Sequence, residues 1–306
     1  MGSERGVVTT AGGRRIEVLT AGDPDGFPWL WIPGSPSAAA DYPRLDALAM
    51  KLRLRMVTWS RPGYGGSTPR PLRAQGARIA DDVADVDAIL AALGMDGFVA
   101  VGWSGGGPRA LACAAMLPER CQAAATLAGL APFGAEGLDW FAGMGPGNVA
   151  DFTAALTGYE AYGAFKEMYF LPMTAARVDD VKAGLGALLT PSDDTARTAE
   201  LAVWLTEMMH RAGAQGVIGA RDDGLAMVAP WGFDVTGIVV PVAVWAGGLD
   251  TTVPFAHGKW LAANVPASIA HLIDDAGHIT LVNKIEDVLR ELLEITETPL
   301  HKRRHV

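Results

Sequence analysis

Metal and redox chemistry have little to work with in this chain. Its 306 residues include two cysteines, Cys113 and Cys121, and no CxxC or Cys/His cluster that could hold zinc or an iron–sulfur centre. Both cysteines fall in a stretch of small residues and read as reduced, buried thiols; no metal is expected, and nothing else in the sequence implies a cofactor. Positive charge is also short: 25 Lys and Arg against 34 Asp and Glu leave a net charge of −9 and a pI near 5.1. Nucleic acid needs clustered cations. The nearest thing to a cluster is Lys302, Arg303 and Arg304 at the very end, which reads as a solvated terminus. No window approaches the roughly 18 uninterrupted apolar residues of a membrane span, and Met1 to Thr10 lacks the apolar run of a secretory signal. No membrane or nucleic-acid partner is therefore expected, and a cytoplasmic location is the default. A homodimer stays open.

What the chain does have is apolar mass. Half of it is hydrophobic, enough to bury the core of one domain of about 200–250 residues carrying an insertion. Apolar, β-rich runs recur at Val7–Thr10, Ile16–Thr20, Trp29–Ile32, Met56–Trp59, Phe98–Trp103, Ala124–Leu127, Val242–Ala246 and His271–Ile273, each bounded by Gly, Pro or Asp. Helical stretches separate most of them. Ile79, Val83, Val86, Leu90 and Leu93 recur at spacings of three and four, and Gly94 supplies a left-handed stop, which predicts an amphipathic helix packed on a sheet. The alternation implies an α/β fold with a mostly parallel sheet covered on both faces, opened by an antiparallel hairpin at Ala11-Gly12-Gly13. Ligands of such sheets bind at the carboxyl ends of the strands.

From about Ala131 to Ala229 the strand pattern stops and helical segments rich in Trp, Phe, Tyr and Met replace it. We read residues 131–229 as a helical cap inserted into a core domain built from 1–130 and 230–306. Glycines 134, 137, 143, 145 and 147 near its start would permit a hinge. No repeat, low-complexity tract or interdomain linker is visible.

The strongest chemical signal is Gly102-Trp103-Ser104-Gly105-Gly106, a G-x-S-x-G between an apolar strand and a helix-forming stretch. A chain with 37 glycines can produce that pentapeptide by chance; its flanks give it weight. A strand-to-helix elbow tight enough to expose a serine crowds the positions two residues either side, and glycine stands at both. The helix that follows points its N-terminus at Ser104, where backbone amides can stabilise an anion.

A serine hydroxyl needs a base, and the chain order that goes with this elbow puts an acid and then a histidine at strand ends downstream. Asp250 follows the run Val242–Ala246 through Gly247-Gly248-Leu249, and His278 follows the next run through Asp275-Ala276-Gly277. The other histidines stand elsewhere: His210 in the insertion, His257 at a helix start, His271 within a strand, His301 and His305 in the tail. Asp274 and Asp275 rival Asp250, but they would have to fold back within one turn to reach the His278 ring. For the oxyanion hole, two backbone N–H groups are needed. Gly105 offers the first, and Ser35 in Pro33-Gly34-Ser35-Pro36, after the run Trp29–Ile32, offers the second.

Taken together these residues resemble the capped α/β-hydrolase superfamily over essentially the whole chain. Trp59-Ser60-Arg61-Pro62-Gly63-Tyr64-Gly65-Gly66-Ser67 is similar to that family's D-x-R-G-x-G-x-S loop, which reads as structural, and Val253-Pro254 and Gly277-His278 also fit its patterns. The resemblance implies an eight-stranded, mostly parallel sheet with helices on both faces and a cap. It departs at Pro33, where the family usually carries His-Gly-x-Pro, and proline has no N–H to give. A serine at 104 sets the chain apart from relatives with an aspartate nucleophile, the haloalkane dehalogenases and epoxide hydrolases. The chemistry implied is a Ser-His-Asp acyl transfer on a small or medium apolar ester, thioester or lactone. The pocket is expected from Trp103, Trp140, Phe141, Phe165, Met168, Trp204 and Met208.

Three other readings stay open. A non-hydrolytic member of the fold, such as a lyase, a cofactor-free oxygenase or a perhydrolase, would use the same triad for proton transfer. A proline-iminopeptidase-like aminopeptidase would need cap carboxylates, for which Glu136, Asp139, Glu160, Glu167 and Glu207 are available. A binding or scaffold protein that has lost turnover is the third, and the complete triad argues against it.

Overall fold

All eight apolar runs become strands of one sheet in the computed structural model of the protein, which describes residues 2–71, 77–186, 188–191, 195–266 and 268–296. The basic tail lies outside these. The strands are β1 (Glu4–Thr9), β2 (Arg15–Gly22), β3 (Phe27–Ile32), β4 (Leu54–Trp59), β5 (Phe98–Trp103), β6 (Cys121–Leu127), β7 (Val242–Gly247) and β8 (Ser268–Ile273). Their order across the sheet is β1-β2-β4-β3-β5-β6-β7-β8. The β1–β2 and β2–β4 pairs are antiparallel and the rest parallel, so the opening hairpin and the parallel body are both as the sequence pattern implies.

The helices are α1 (Pro43–Leu52), α2 (Val83–Ala92), α3 (Gly107–Met116), α4 (Pro146–Ala155), α5 (Tyr159–Met173), α6 (Val178–Gly186), α7 (Thr195–Ala212), α8 (Ile218–Val228), α9 (Phe255–Asn264), α10 (His278–Asn283) and α11 (Ile285–Ile295). Side chains of β3 and β5 alternate between two apolar layers. Leu30, Ile32, Phe98 and Ala100 pack with α2, α3 and α9, while Trp29, Trp31, Val99, Val101 and Trp103 pack with α1, α10 and α11. A strand covered on both faces is apolar throughout, and all six residues of β5 are buried. The helix expected over 79–93 opens as a tight turn at Ile79–Asp82, where Asp81 accepts from the Arg78 N–H, and continues as α2 to a left-handed Gly94. Cys113 and Cys121 are buried and unpaired, and burial pushes the Cys113 thiol up to about 12.

Between β6 and β7 the chain forms α4 to α8 and, among the described residues, no strand, which is the helical insertion the sequence implies. Its first fifteen or so residues are turns rather than helix, with left-handed Gly134, Gly137 and Gly143. The insertion seats on the Trp59–Ser67 loop. Arg211 pairs with Glu17, whose carboxylate also accepts from Ser60 Oγ at 2.6 Å and Gly66 N at 3.0 Å. Gln215 donates to Gly65 O and Ser67 O at 2.8 Å each. Gly219 of α8 lies against the Tyr64 ring, where a Cβ would come within 2.6 Å of ring carbon. Among the described residues no helix is long and apolar enough to cross a membrane.

Candidate active site

β5 lies at the middle of the sheet and ends where the chain must turn sharply into α3. Ser104 makes that turn with φ 55°, a left-handed backbone that costs a non-glycine residue about 1–2 kcal/mol. The flanking glycines are required by close approach. A Cβ on Gly102 would sit 2.2 Å from Gly106 O, and one on Gly106 would sit 1.9 Å from Ile32 O. Both clashes are with backbone, one within the elbow itself and one at the end of β3, and backbone cannot yield as a side chain would. Gly106→Ala should therefore destabilise the fold by about 3 kcal/mol or more, read as a lowered denaturant midpoint. A near-wild-type midpoint would show that the elbow can relax and is not locked by packing.

The loops after β7 and β8 are laced together backbone to backbone. Gly248 N donates to Ile273 O at 2.8 Å and Leu249 N to Ala276 O at 3.0 Å. Gly247 and Gly248 are again needed for contact, since a Cβ on either would lie 2.3 Å from a carbonyl oxygen of the partner loop. This lacing brings Asp250 to His278, residues 28 apart in sequence: His278 Nδ1 and Asp250 Oδ2 are 2.8 Å apart, and both side chains are buried. Asp250 Oδ1 accepts from the backbone of Thr252 at 2.7 Å and Val253 at 2.9 Å, which fixes the carboxylate within its own loop. α9 begins after Pro254 with no side-chain cap, so Asp250 does not serve as its cap. His278 opens α10, with the Trp103 ring 5.2 Å from its own. His257, by contrast, is a structural histidine. Its Nε2 donates to Trp140 O at 2.9 Å, its Nδ1 accepts from Ala131 N at 3.1 Å, and burial lowers its pKa.

β3 ends next to β5, so its loop 33–36 arrives beside the elbow. A Cβ on Gly34 would lie 3.1 Å from Ser104 Cβ, and one on Gly105 would lie 3.0 Å from Ser35 N. The Ser35–Pro36 bond is cis. The structure thus brings Ser104, Gly105 and Ser35 together, and His278 with Asp250, at the carboxyl edge of the sheet. Asp223 of α8 lies beside the loop, buried, and accepts from Ser35 Oγ at 2.7 Å. Burial alone would raise its pKa, but Arg109 and Arg61 beside it hold its carboxyl well below the usual range.

A cavity of about 180 Å³ opens beside His278, lined by Leu188, Leu189, Thr190, Pro191, Leu249 and Thr251. The aromatic residues expected to form the pocket divide into two groups. Trp103, Trp204 and Met208 pack near the site: Trp204 lies 6.3 Å from Trp103, is stacked on Tyr42 at 5.0 Å and, with Met208, belongs to the same buried layer. The others pack elsewhere, and none of the seven lines the cavity. Met168 is 66% exposed on α5, and Phe165 is stacked on Tyr162 and tilted against Tyr169. Trp140 and Phe141 pack with Phe133, Phe152 and His257. Helical periodicity shows that a face is apolar but not which neighbour it meets. The cavity-lining stretch 188–191 carries ordinary loop composition and no signal, and Asp223, within Arg221-Asp222-Asp223, reads from sequence as one more surface charge.

Comparison with known proteins follows the same lines. An esterase from Exiguobacterium antarcticum superposes with TM-score 0.65 at 16% identity, covering 97% of this chain and 100% of that one. A bromoperoxidase from Bacillus anthracis gives 0.66 at 18%, covering 95% and 100%, and the epoxide hydrolase CorEH gives 0.65 at 15%, covering 96% and 98%. Three reactions at equal likeness and low identity establish a shared fold and leave the reaction to the site itself. No curated protein matches the chain by sequence. Residues 30–284 match the family described as alpha/beta hydrolase fold. With the match spanning most of the chain and the sheet order and elbow described above, the protein belongs to the alpha/beta-hydrolase fold family.

Proposed function

We propose that the protein is a serine hydrolase acting on a small acyl ester, thioester or lactone. The observation that carries this reading is the His278–Asp250 contact of 2.8 Å at the sheet edge where Ser104 is held in a left-handed elbow. Ser104 Oγ attacks the acyl carbonyl while His278 Nε2 takes its proton, and Asp250 keeps the proton on Nδ1 and stabilises the imidazolium. The N–H groups of Ser35 and Gly105 receive the oxyanion. His278 then protonates the leaving group, and a water deprotonated by His278 releases the acyl group from Ser104. In this reading residues 131–229 form a cap over the core of 1–130 and 230–306. Esterases recur among the structural neighbours, which supports an ester over the other acyl compounds.

The cavity touches His278 but is not lined by Ser104, and taken as the neighbouring acyl subsite its size and lining favour a short, uncharged acyl group. Its volume of about 180 Å³ falls below the roughly 300–1,000 Å³ of pockets for drug-sized ligands. None of Glu136, Asp139, Glu160, Glu167 and Glu207 lines it, and no carboxylate does among the described residues, which disfavours the aminopeptidase reading. A p-nitrophenyl ester series tests this. The acetate and butyrate should be turned over, and kcat/KM should fall about tenfold or more from butyrate to octanoate. A preference rising with chain length would sink the short-acyl assignment, and no turnover of any member would move the reading to a non-hydrolytic use of the triad.

A further inference from the structure

Resting on the hydrolase reading, one feature of the site goes beyond the triad: two buried arginines grip the two segments that supply the oxyanion donors, and both pair with one carboxylate from the insertion. Arg61 is 1% exposed. Its Nη1 donates to Pro33 O at 3.1 Å and its Nη2 to Gly34 O at 2.9 Å and to Ser35 Oγ at 3.0 Å. In a planar trans peptide the C=O and N–H point in opposite directions. Carbonyls of Pro33 and Gly34 turned toward Arg61 therefore turn the N–H groups of Gly34 and Ser35 to the other side, where Gly105 and Ser104 stand. Arg109 of α3 holds the elbow from the far side of Gly105: its Nη1 donates to Gly105 O at 2.6 Å, which fixes the Gly105–Gly106 peptide and so anchors the residue whose own N–H is the second donor.

Asp223 joins the two grips. Its carboxylate accepts from Arg61 Nη2 at 2.5 Å, Arg109 Nη2 at 2.6 Å, Ser35 Oγ at 2.7 Å and Tyr64 OH at 3.0 Å. With that many donors and no exposure to speak of, it has nothing left to offer a substrate. A buried ion cluster is also a poor way to add stability, because apolar residues of similar volume commonly do as well or better. What it supplies is fixed geometry.

We propose that Asp223, acting through Arg61 and Arg109, is the positioning residue of the oxyanion hole, holding Ser35 N–H and Gly105 N–H at the spacing the tetrahedral intermediate requires. The insertion thereby contributes to the chemical step through α8, in addition to covering the site.

The test compares wild type, Asp223→Asn, Ser35→Ala and the double variant for melting temperature, kcat and KM on a p-nitrophenyl ester, and affinity for a trifluoromethyl ketone, whose hemiketal oxyanion occupies the same hole. Asp223→Asn should lower kcat and weaken the ketone in step, roughly 10- to 100-fold, with KM within about threefold. Ser35→Ala should lose a few-fold on both measures, and the double variant should be no worse than Asp223→Asn, since both changes open one network. A folded Asp223→Asn with wild-type kcat and ketone affinity overturns the proposal, as does a loss confined to KM. Should Asp223→Asn fail to fold, Ser35→Ala decides alone, and unchanged ketone affinity there overturns it. A wild type that neither reacts with a fluorophosphonate nor binds the ketone removes the hydrolase reading and this proposal with it. A wild type that does both, beside an indifferent Asp223→Asn, removes this proposal only.

Discussion

Ser104→Ala should lose fluorophosphonate labelling altogether and lower kcat on a turned-over ester by roughly 10⁴- to 10⁶-fold, the range found when a triad nucleophile is removed. Turnover and labelling persisting in the folded variant would remove Ser104 from the reaction. The same position makes a second, opposite statement about stability. Ser104 sits at φ 55°, and alanine inherits that strain where glycine does not. Ser104→Gly should be as inactive as Ser104→Ala and more stable than it by about 1 kcal/mol, or about 1.5 °C in melting temperature for a chain of this size. The pair separates two properties of one residue: the chemistry proposed for its hydroxyl, and the cost of the left-handed backbone that exposes it. A glycine variant less stable than the alanine variant would mean that the elbow is not strained.

How much of this was legible in the sequence depended on whether the determining interaction is local. The strands were readable because runs such as Phe98–Trp103, buried on both faces, have to be apolar throughout. Gly102 and Gly106 were readable because the steric demand of the elbow falls two residues either side of the serine that signals it. Asp250 and His278 were placed by their loops following consecutive strands, since parallel neighbours deliver their carboxyl ends to one edge. The failures have the opposite character. Trp140 and Phe165 belong to apolar faces, and only the packing of the insertion decides that those faces meet Phe133 or Tyr169 and not the cavity. Arg61 was visible as part of a loop pattern, but its partners, Pro33 and Asp223, are separated from it by 28 and 162 positions. Nothing in the spacing of charges could have paired Asp223 with both Arg61 and Arg109. The departure at Pro33 acquires a physical meaning from the same contacts, because it is the carbonyl of Pro33, not an N–H, that Arg61 uses.

The arrangement around Asp250 leads to the second large effect, in Asp250→Asn. Oδ1 of Asp250 accepts two backbone N–H groups, from Thr252 and Val253, and Oδ2 faces His278 Nδ1. An asparagine there has one oxygen to place, and the two backbone donors demand it; the amide NH₂ must then point at His278. A donor facing Nδ1 forces that nitrogen to accept, so neutral His278 carries its proton on Nε2 and has no lone pair there to take the proton from Ser104. The variant keeps its shape and its number of hydrogen bonds, so its melting temperature should stay near that of wild type while kcat falls about 10⁴-fold, with KM little changed. Fluorophosphonate labelling should slow in parallel, because it uses the same base. Should Asp250→Asn turn over at near the wild-type rate, the tautomer argument would fail and the acid would have to be sought among Asp274 and Asp275. A large loss of kcat accompanied by unfolding would instead mean that Asp250 acts mainly through its loop, and Thr252 and Val253 would then be its more important partners.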